Sequence, residues 1–307
     1  MRVVVVLLLC CTLPGLVPPA SAQTAAAAGG ADAMRYVHPP PESALDHRYD
    51  FEWKILETAL RRTETRYGAF TIASSEFMTE RRQRYELEHA TGELTIMFLG
   101  SSPELEKMLL PVRIPVDLDL QGYCVMLIRD GEQSRFNAVR SLADLKSLDF
   151  GLGLGWIDVD ILRSNGLSVV TGSSYDGLFE MLRQHRFDVF LRSAVEVLGE
   201  YDQRHAAMPE LRIEDSLILY YPMPMYFWFS KDAQGRRLAA RVEAGMRMML
   251  DDGSYQRIFA QYQDSKIRRL HLKTRRILRL DNPLLDSLTP FGDKRLWFDP
   301  QSYREQP

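Results

Sequence analysis

Residues 150–193 decide how this chain is read: Phe150-Gly-Leu-Gly-Leu-Gly155-Trp156-Ile157-Asp-Val-Asp-Ile-Leu-Arg-Ser-Asn-Gly166, and further on Leu178-Phe-Glu-Met-Leu-Arg-Gln-His-Arg-Phe-Asp188-Val-Phe-Leu-Arg192-Ser193. A short apolar run meets a glycine-spaced turn that opens directly into a helical pattern. A second amphipathic helix, Tyr175 to Gln184, feeds a buried strand from Phe187 to Leu191. Backbone amides at such a turn and helix start accept a carboxylate or another electron-rich group. Trp156 and Arg192 flank that position and point to ligand binding.

Outward from this stretch the chain alternates strands and helices, the mark of a layered α/β domain. Towards the N-terminus, Tyr36 to His38 reads as a strand ending in the turn Pro39-Pro40-Pro41. Tyr49 to Arg61 reads as an amphipathic helix, Ala69 to Ser74 as a strand and Glu76 to Thr91 as a polar helix. Leu94 to Leu99 is a strand before the turn Gly100-Ser101-Ser102-Pro103, and Gly122 to Ile128 is an apolar strand. Towards the C-terminus, Leu217 to Phe229 is an aromatic run that Pro222 and Pro224 bend into a strand pair. Helices follow at Leu238 to Leu250 and Ser254 to Gln263. The basic run 266–279 reads as a solvated helix face, with docking to an anionic membrane or a partner as its alternative.

The N-terminus has the form of an export signal. Arg2, an apolar run from Val3 to Leu9 and Ala20-Ser21-Ala22 predict cleavage after Ala22 and a periplasmic protein. Residues 23–34 read as a disordered linker. Beyond the signal Cys124 is the one cysteine, so no intramolecular disulfide is expected, and its apolar neighbours make it a core thiol. The net charge of −3 argues against nucleic acid as a partner. The six histidines are scattered without metal-ligand spacing, no serine stands in a nucleophile elbow, and Gly151-x-Gly-x-Gly155 lacks the third glycine of a dinucleotide fingerprint. No metal, cofactor or catalytic residue is expected from these patterns.

The order of these pieces resembles the type II periplasmic solute-binding proteins, specifically the polar amino-acid-binding (family 3) proteins of ABC importers. The resemblance runs from Tyr36 to about Tyr262. It rests on the His38-Pro39-Pro40 turn, the helix from Tyr49, Thr91-Gly-Glu-Leu-Thr-Ile-Met97, Ser141-Leu-Ala-Asp-Leu-Lys146, the Gly155 turn, Arg186-Phe-Asp188, and Asp252-Gly253-Ser-Tyr255. It implies an α/β fold of two lobes joined by two crossover segments, with a small molecule held in the cleft by hinge closure. Lobe 1 would be 35–120 plus 229–300 and lobe 2 would be 121–228, with the basic extension 264–307 packing on lobe 1. The implied cleft residues are His38, Gly100, Ser101 and Ser102 from lobe 1, and Gly155, Trp156, Ile157, Arg192 and Ser193 from lobe 2. The implied partners are the ligand and an inner-membrane ABC permease or a sensor protein, with a monomer as the family default.

Two departures from that family bear on the ligand. Leu105 falls where the family places the arginine that clamps an α-carboxylate, and Ser193 falls where it places the aspartate that accepts an α-ammonium. A solute-binding protein for a small polar or anionic molecule other than an ordinary α-amino acid is therefore expected. The alternatives are an enzyme on the same fold, for which Glu104 and Glu196 are the candidate acid and base, and a scaffold whose cleft binds nothing.

Overall fold

The computed structural model describes residues 33–41 and 49–304. The expected signal peptide and almost all of the expected linker lie outside the described residues. Twelve strands are described, interleaved with helices: β1 (Met34–His38), β2 (Phe70–Ser74), β3 (Met97–Gly100), β4 (Leu110–Val112), β5 (Tyr123–Arg129), β6 (Asp149–Gly153), β7 (Ser168–Gly172), β8 (Val189–Ser193), β9 (Leu211–Ile213), β10 (Leu217–Tyr220), β11 (Met225–Phe229) and β12 (Arg276–Arg279).

The two halves repeat one plan. In the first, β2 lies parallel to β1, Val37 of β1 bonds the backbone of Thr95 and Ile96 just before β3, and β11 runs antiparallel between β3 and β4. The order is β2-β1-β3-β11-β4. In the second, β7 and β8 flank β6 in parallel, and β5 runs antiparallel between β8 and β10, giving β7-β6-β8-β5-β10. In each half the antiparallel strand is the one that has just arrived from the other half. The chain therefore crosses twice, through residues 113–122 and 221–224. Pro222 and Pro224 end one strand and delay the next, because proline supplies no ladder donor, and the aromatic run becomes β10 and β11 as its sequence predicts.

Burial explains the rest of the pattern. Strand β5, Tyr-Cys-Val-Met-Leu-Ile-Arg, is buried at all seven positions, as befits a strand covered on both faces. Helix 50–62 buries Phe51, Ile55, Leu56, Ala59 and Leu60 on one stripe and packs against helix 233–251. One hydrophobic cluster holds Tyr36 and Phe227 of the first half together with Val125, Phe190 and Ile218 of the second.

The basic C-terminal run departs from its expected form. Its helix ends at Arg269, and Arg276-Ile-Leu-Arg279 forms β12, parallel to β10 at the edge of the second sheet. Its charges are used internally. The guanidinium of Arg275, 4 % exposed, donates to the carbonyls of Leu270, Glu214 and Leu217 and lies 3.5 Å from the Glu214 carboxylate. Arg269 pairs with Asp202, and Arg279 lies over the Tyr220 ring. Beyond β12 the chain returns to the first half, where Phe298 meets Phe259 of helix 254–269.

The close crossing of helices 50–62 and 233–251 supplies a test. A Cβ on Gly245 would stand 2.2 Å from the Ala59 carbonyl oxygen, whereas one on the exposed, helical Gly199 meets nothing within 4 Å. Gly245→Ala should lower stability in denaturant melts by about 1–3 kcal/mol or more. Gly199→Ala should leave it unchanged or raise it by up to about 1 kcal/mol. Equal effects would show that the two helices do not pack this closely.

Candidate functional site

In an open α/β sheet, loops at the carboxyl ends of the strands surround the ligand crevice. All nine residues expected from the sequence end a strand or follow one within four residues. His38 ends β1, Gly100 ends β3 with Ser101 and Ser102 following, Gly155–Ile157 follow β6, and Arg192 and Ser193 end β8. Two further loops at the same ends carry exposed apolar side chains that were not singled out from the sequence. Phe77, after β2, is 73 % exposed and Leu154, after β6, is 70 % exposed.

On the first half, His38 stacks on Trp53 with ring centroids 4.3 Å apart, and its Nδ1 lies 2.7 Å from the Pro39 carbonyl oxygen. Burial lowers the pKa of its imidazole from the ordinary histidine value, against the bond to Pro39, which acts to raise it. The Ser101 amide donates to the Pro224 carbonyl and its hydroxyl to Glu106, which Arg113 holds through two hydrogen bonds. The Ser102 hydroxyl caps helix 103–108 by accepting the Leu105 amide. Leu105 itself is 2 % exposed, a core leucine at the position where the resemblance implies a carboxylate clamp.

On the second half, Gly155 has φ +85°, a conformation glycine adopts without strain, and this sets the turn before helix 157–164. Trp156 folds back over Gly153, where a Cβ would sit 2.3 Å from the indole, and stacks on Phe190. The first turn of the helix carries Asp158 and Asp160, and Asp158 accepts the Tyr221 hydroxyl at 2.5 Å. These carboxylates already occupy the positive end of the helix and oppose a second anion there.

Arg192 is committed within the second half. Its Nε and Nη2 donate to both carboxylate oxygens of Glu200 at 2.5–2.9 Å, and Nη2 also lies 2.9 Å from Glu196. Tyr175 donates to Glu200 at 2.7 Å, and the guanidinium sits over the Trp156 and Tyr175 rings. Burial works against the charge, but the Glu196 and Glu200 carboxylates outweigh it and raise the Arg192 pKa. Glu196 reaches Arg192 across the turn between β8 and helix 197–204, not along a helix. Glu200, one turn further on, is the partner that spacing alone did not disclose. The Ser193 hydroxyl accepts the Val195 amide at 3.3 Å.

Charged groups from both halves also meet beside the first crossing. Burial, aided by Asp117, pushes the Glu52 carboxyl up to about 8, and its Oε2 has no hydrogen-bond partner. Burial lowers the Lys266 pKa while Glu52 and Glu196, one from each half, act to raise it. Asp117 is pushed up to about 6 by burial although it accepts the Asp119 and Gln121 amides. Among the described residues, no group of three or more His, Cys, Asp or Glu is placed to hold a metal ion, and no helix is long and apolar enough to cross a membrane.

Two of these networks yield predictions. Arg192→Ala would leave Glu200 buried without its cation, and a loss of about 3–5 kcal/mol is expected in denaturant melts. A loss below about 1 kcal/mol would mean that the guanidinium is solvated instead. Glu52 binds its proton more tightly folded than unfolded, so its contribution is full below its unfolded pKa near 4.5 and disappears as pH rises through about 8. Glu52→Gln should therefore flatten the fall in stability between pH 5 and 8, an effect on the order of a few kcal/mol. Parallel pH profiles for the two proteins would contradict this.

No protein-family model matches the chain, and no curated protein matches its sequence. Solved structures do match. The substrate-binding protein AbpA of an amino-acid ABC transporter from Streptococcus pneumoniae, bound to L-arginine, is 14 % identical with a TM-score of 0.51, over 76 % of this chain and 96 % of its own. YckB from Bacillus subtilis is 15 % identical with a TM-score of 0.51, over 81 % of this chain and 96 % of its own. An ancestral arginine-binding protein bound to arginine is 16 % identical with a TM-score of 0.50, over 75 % of this chain and 97 % of its own. Identities this low speak for architecture alone, and together with the repeated strand order they establish it: the chain has the two-lobed α/β type II fold of periplasmic solute-binding proteins.

Proposed function

We infer that this is an exported, periplasmic solute-binding protein that takes a small polar molecule between its lobes, for an inner-membrane ABC permease or for a sensor. What supports this reading is the position of His38, Gly100–Ser102, Gly155–Ile157, Arg192 and Ser193 at or just after strand carboxyl ends, within a fold whose solved neighbours include proteins bound to arginine. Lobe 1 would comprise 35–112 and 225–275, and lobe 2 123–220 with β12 added, because β11 lies in the first sheet and β12 in the second; the bounds expected from the sequence shift accordingly at 225–228 and at 276–279. Backbone amides around Gly155 and the rings of Trp156 and His38 would form the walls. Buried Leu105 and the internally bonded Ser193 supply neither charge that an α-amino acid requires, so the ligand belongs to another class. The carboxylates of Asp158 and Asp160 and the committed Arg192 further disfavour an anion, leaving neutral polar or cationic solutes.

One observation favours a second reading, a scaffold without ligand: the hydroxyls of Ser101, Ser102 and Ser193 and the guanidinium of Arg192 all have partners within their own lobe. The enzyme alternative gains no such support, because Glu104 pairs with Arg84 and Glu196 with Arg192. A thermal-shift screen against polyamines, sugars, amino acids and organic acids separates the two readings. A ligand at a hundred times its Kd stabilises by about 2.7 kcal/mol, a rise of several degrees for a chain of this size. Phe77→Ser and Leu154→Ser, at exposed tips, should leave the free protein's Tm unchanged and reduce that rise. A flat screen across all four classes would sink the binding reading in favour of the scaffold.

A further inference from the structure

We propose that the C-terminal segment 276–304 is a strap that pins the two lobes across their hinge, so that the protein holds one interlobe angle. On the second lobe the strap is anchored by the β12–β10 ladder and by Asn165, whose side chain donates to the Asp281 carbonyl at 2.8 Å and accepts the Asp281 amide at 3.0 Å. At the hinge, Asn282 donates to the Pro222 carbonyl on the second crossing at 2.8 Å. Four residues later Asp286 meets Arg113 on the first crossing at 3.2 Å, through a guanidinium that Glu106 also holds.

The strap then reaches the first lobe. On the way the Phe298 amide donates to Leu118 on the first crossing and its carbonyl accepts the hydroxyl of Tyr123 at the start of β5, both at 2.6 Å, while its ring packs on Phe259 of the first lobe. Arg295 reaches Asp251 at 2.9 Å and Tyr303 donates to Asp264 at 2.6 Å. A hinge works by letting a few residues absorb the rotation while the lobes move as rigid bodies. Here a third chain segment joins both lobes beside the two crossings. It is fixed by a buried aromatic ring and by hydrogen bonds on either side, and only three residues lie between Asn282, which holds Pro222, and Asp286, which holds Arg113. Rotation about the crossings must therefore break contacts at one end of the strap. The Arg269–Asp202 pair, from helix 254–269 to helix 197–204, acts in the same sense from outside the strap.

The proposal rests on the fold and its contacts and stands whether or not a solute binds. Its test severs the strap after folding, so that failure to fold cannot be confused with release. A protease recognition sequence is inserted between Ser287 and Leu288, both exposed, in the full chain carrying Arg269→Ala, a surface-pair change of small cost. Spin labels are attached through bio-orthogonal side chains at the exposed positions 88 and 160, one on each lobe. Before cleavage the inter-label distances should form one narrow distribution. After cleavage, with circular dichroism unchanged, the distribution should broaden about twofold as the lobes sample open and closed angles. A distribution that is equally narrow before and after cleavage, or already broad before it, would overturn the strap.

Discussion

A carboxylate cut off from water must find its donors inside the protein, and Asp119 finds them at the end of β10 and on the second crossing that follows it. It has no solvent exposure, its Oδ1 accepts the Met223 amide at 2.7 Å, and its Oδ2 accepts the Tyr220 hydroxyl at 2.9 Å. Burial, reinforced by Asp117, pushes its pKa well above the ordinary value, so holding the charge there costs free energy that these bonds offset only in part. Asp119 also takes φ +64°, a left-handed conformation that aspartate tolerates better than most residues. Beside it, a Cβ on Gly122 would stand 2.3 Å from the Tyr221 carbonyl oxygen, so the two crossings touch backbone to backbone. The β5–β10 ladder begins next to this junction at Tyr123 and Tyr220, and the Phe298 amide bonds Leu118 beside it.

The fold was legible because its signals are local. Strand β5 announces itself as an uninterrupted apolar run, the helix from Asp50 by its stripe, and the second crossing by Pro222 and Pro224. Their order then carries the architecture, although no single piece is specific. What stayed hidden depends on distant partners. Strand β12 is four residues long and lies within a basic run, and only the open edge of β10 makes it a strand. The three-residue strands β4 and β9 are too short to show a period. Arg275 reads as a surface cation until Glu214, sixty-one positions away, is seen beside it.

The candidate site divides in the same way. Glycine turns and strand ends fix where residues stand, so the loops at His38, Ser101, Gly155 and Arg192 could be placed from the sequence. What each side chain does depends on what reaches it. Arg192 reads as available for a ligand because its partner Glu200 sits in the next helix and only the fold brings strand and helix together, and Ser102 because capping helix 103–108 uses the same hydroxyl that a ligand would. A carboxylate excess also emerges only in three dimensions: Glu196 and Glu200 share one guanidinium, while Asp158 and Asp160 stand at the adjacent helix start.

Holding the lobes at one angle changes how such a cleft would bind. A hinged binder with a closed state populated at one part in a hundred loses about 2.7 kcal/mol of apparent affinity to the conformational preference, and ligand contacts must recover it. A cleft fixed at its working angle avoids that loss but gives up the water exclusion that closure provides. Polar contacts at its mouth then remain in competition with solvent, and affinity must come from apolar cover and preorganised backbone. The side chains at the two tips, Phe77 and Leu154, are large, apolar and exposed, and they belong to opposite lobes. That is the chemistry expected of a rim that shields a polar ligand without lobe movement.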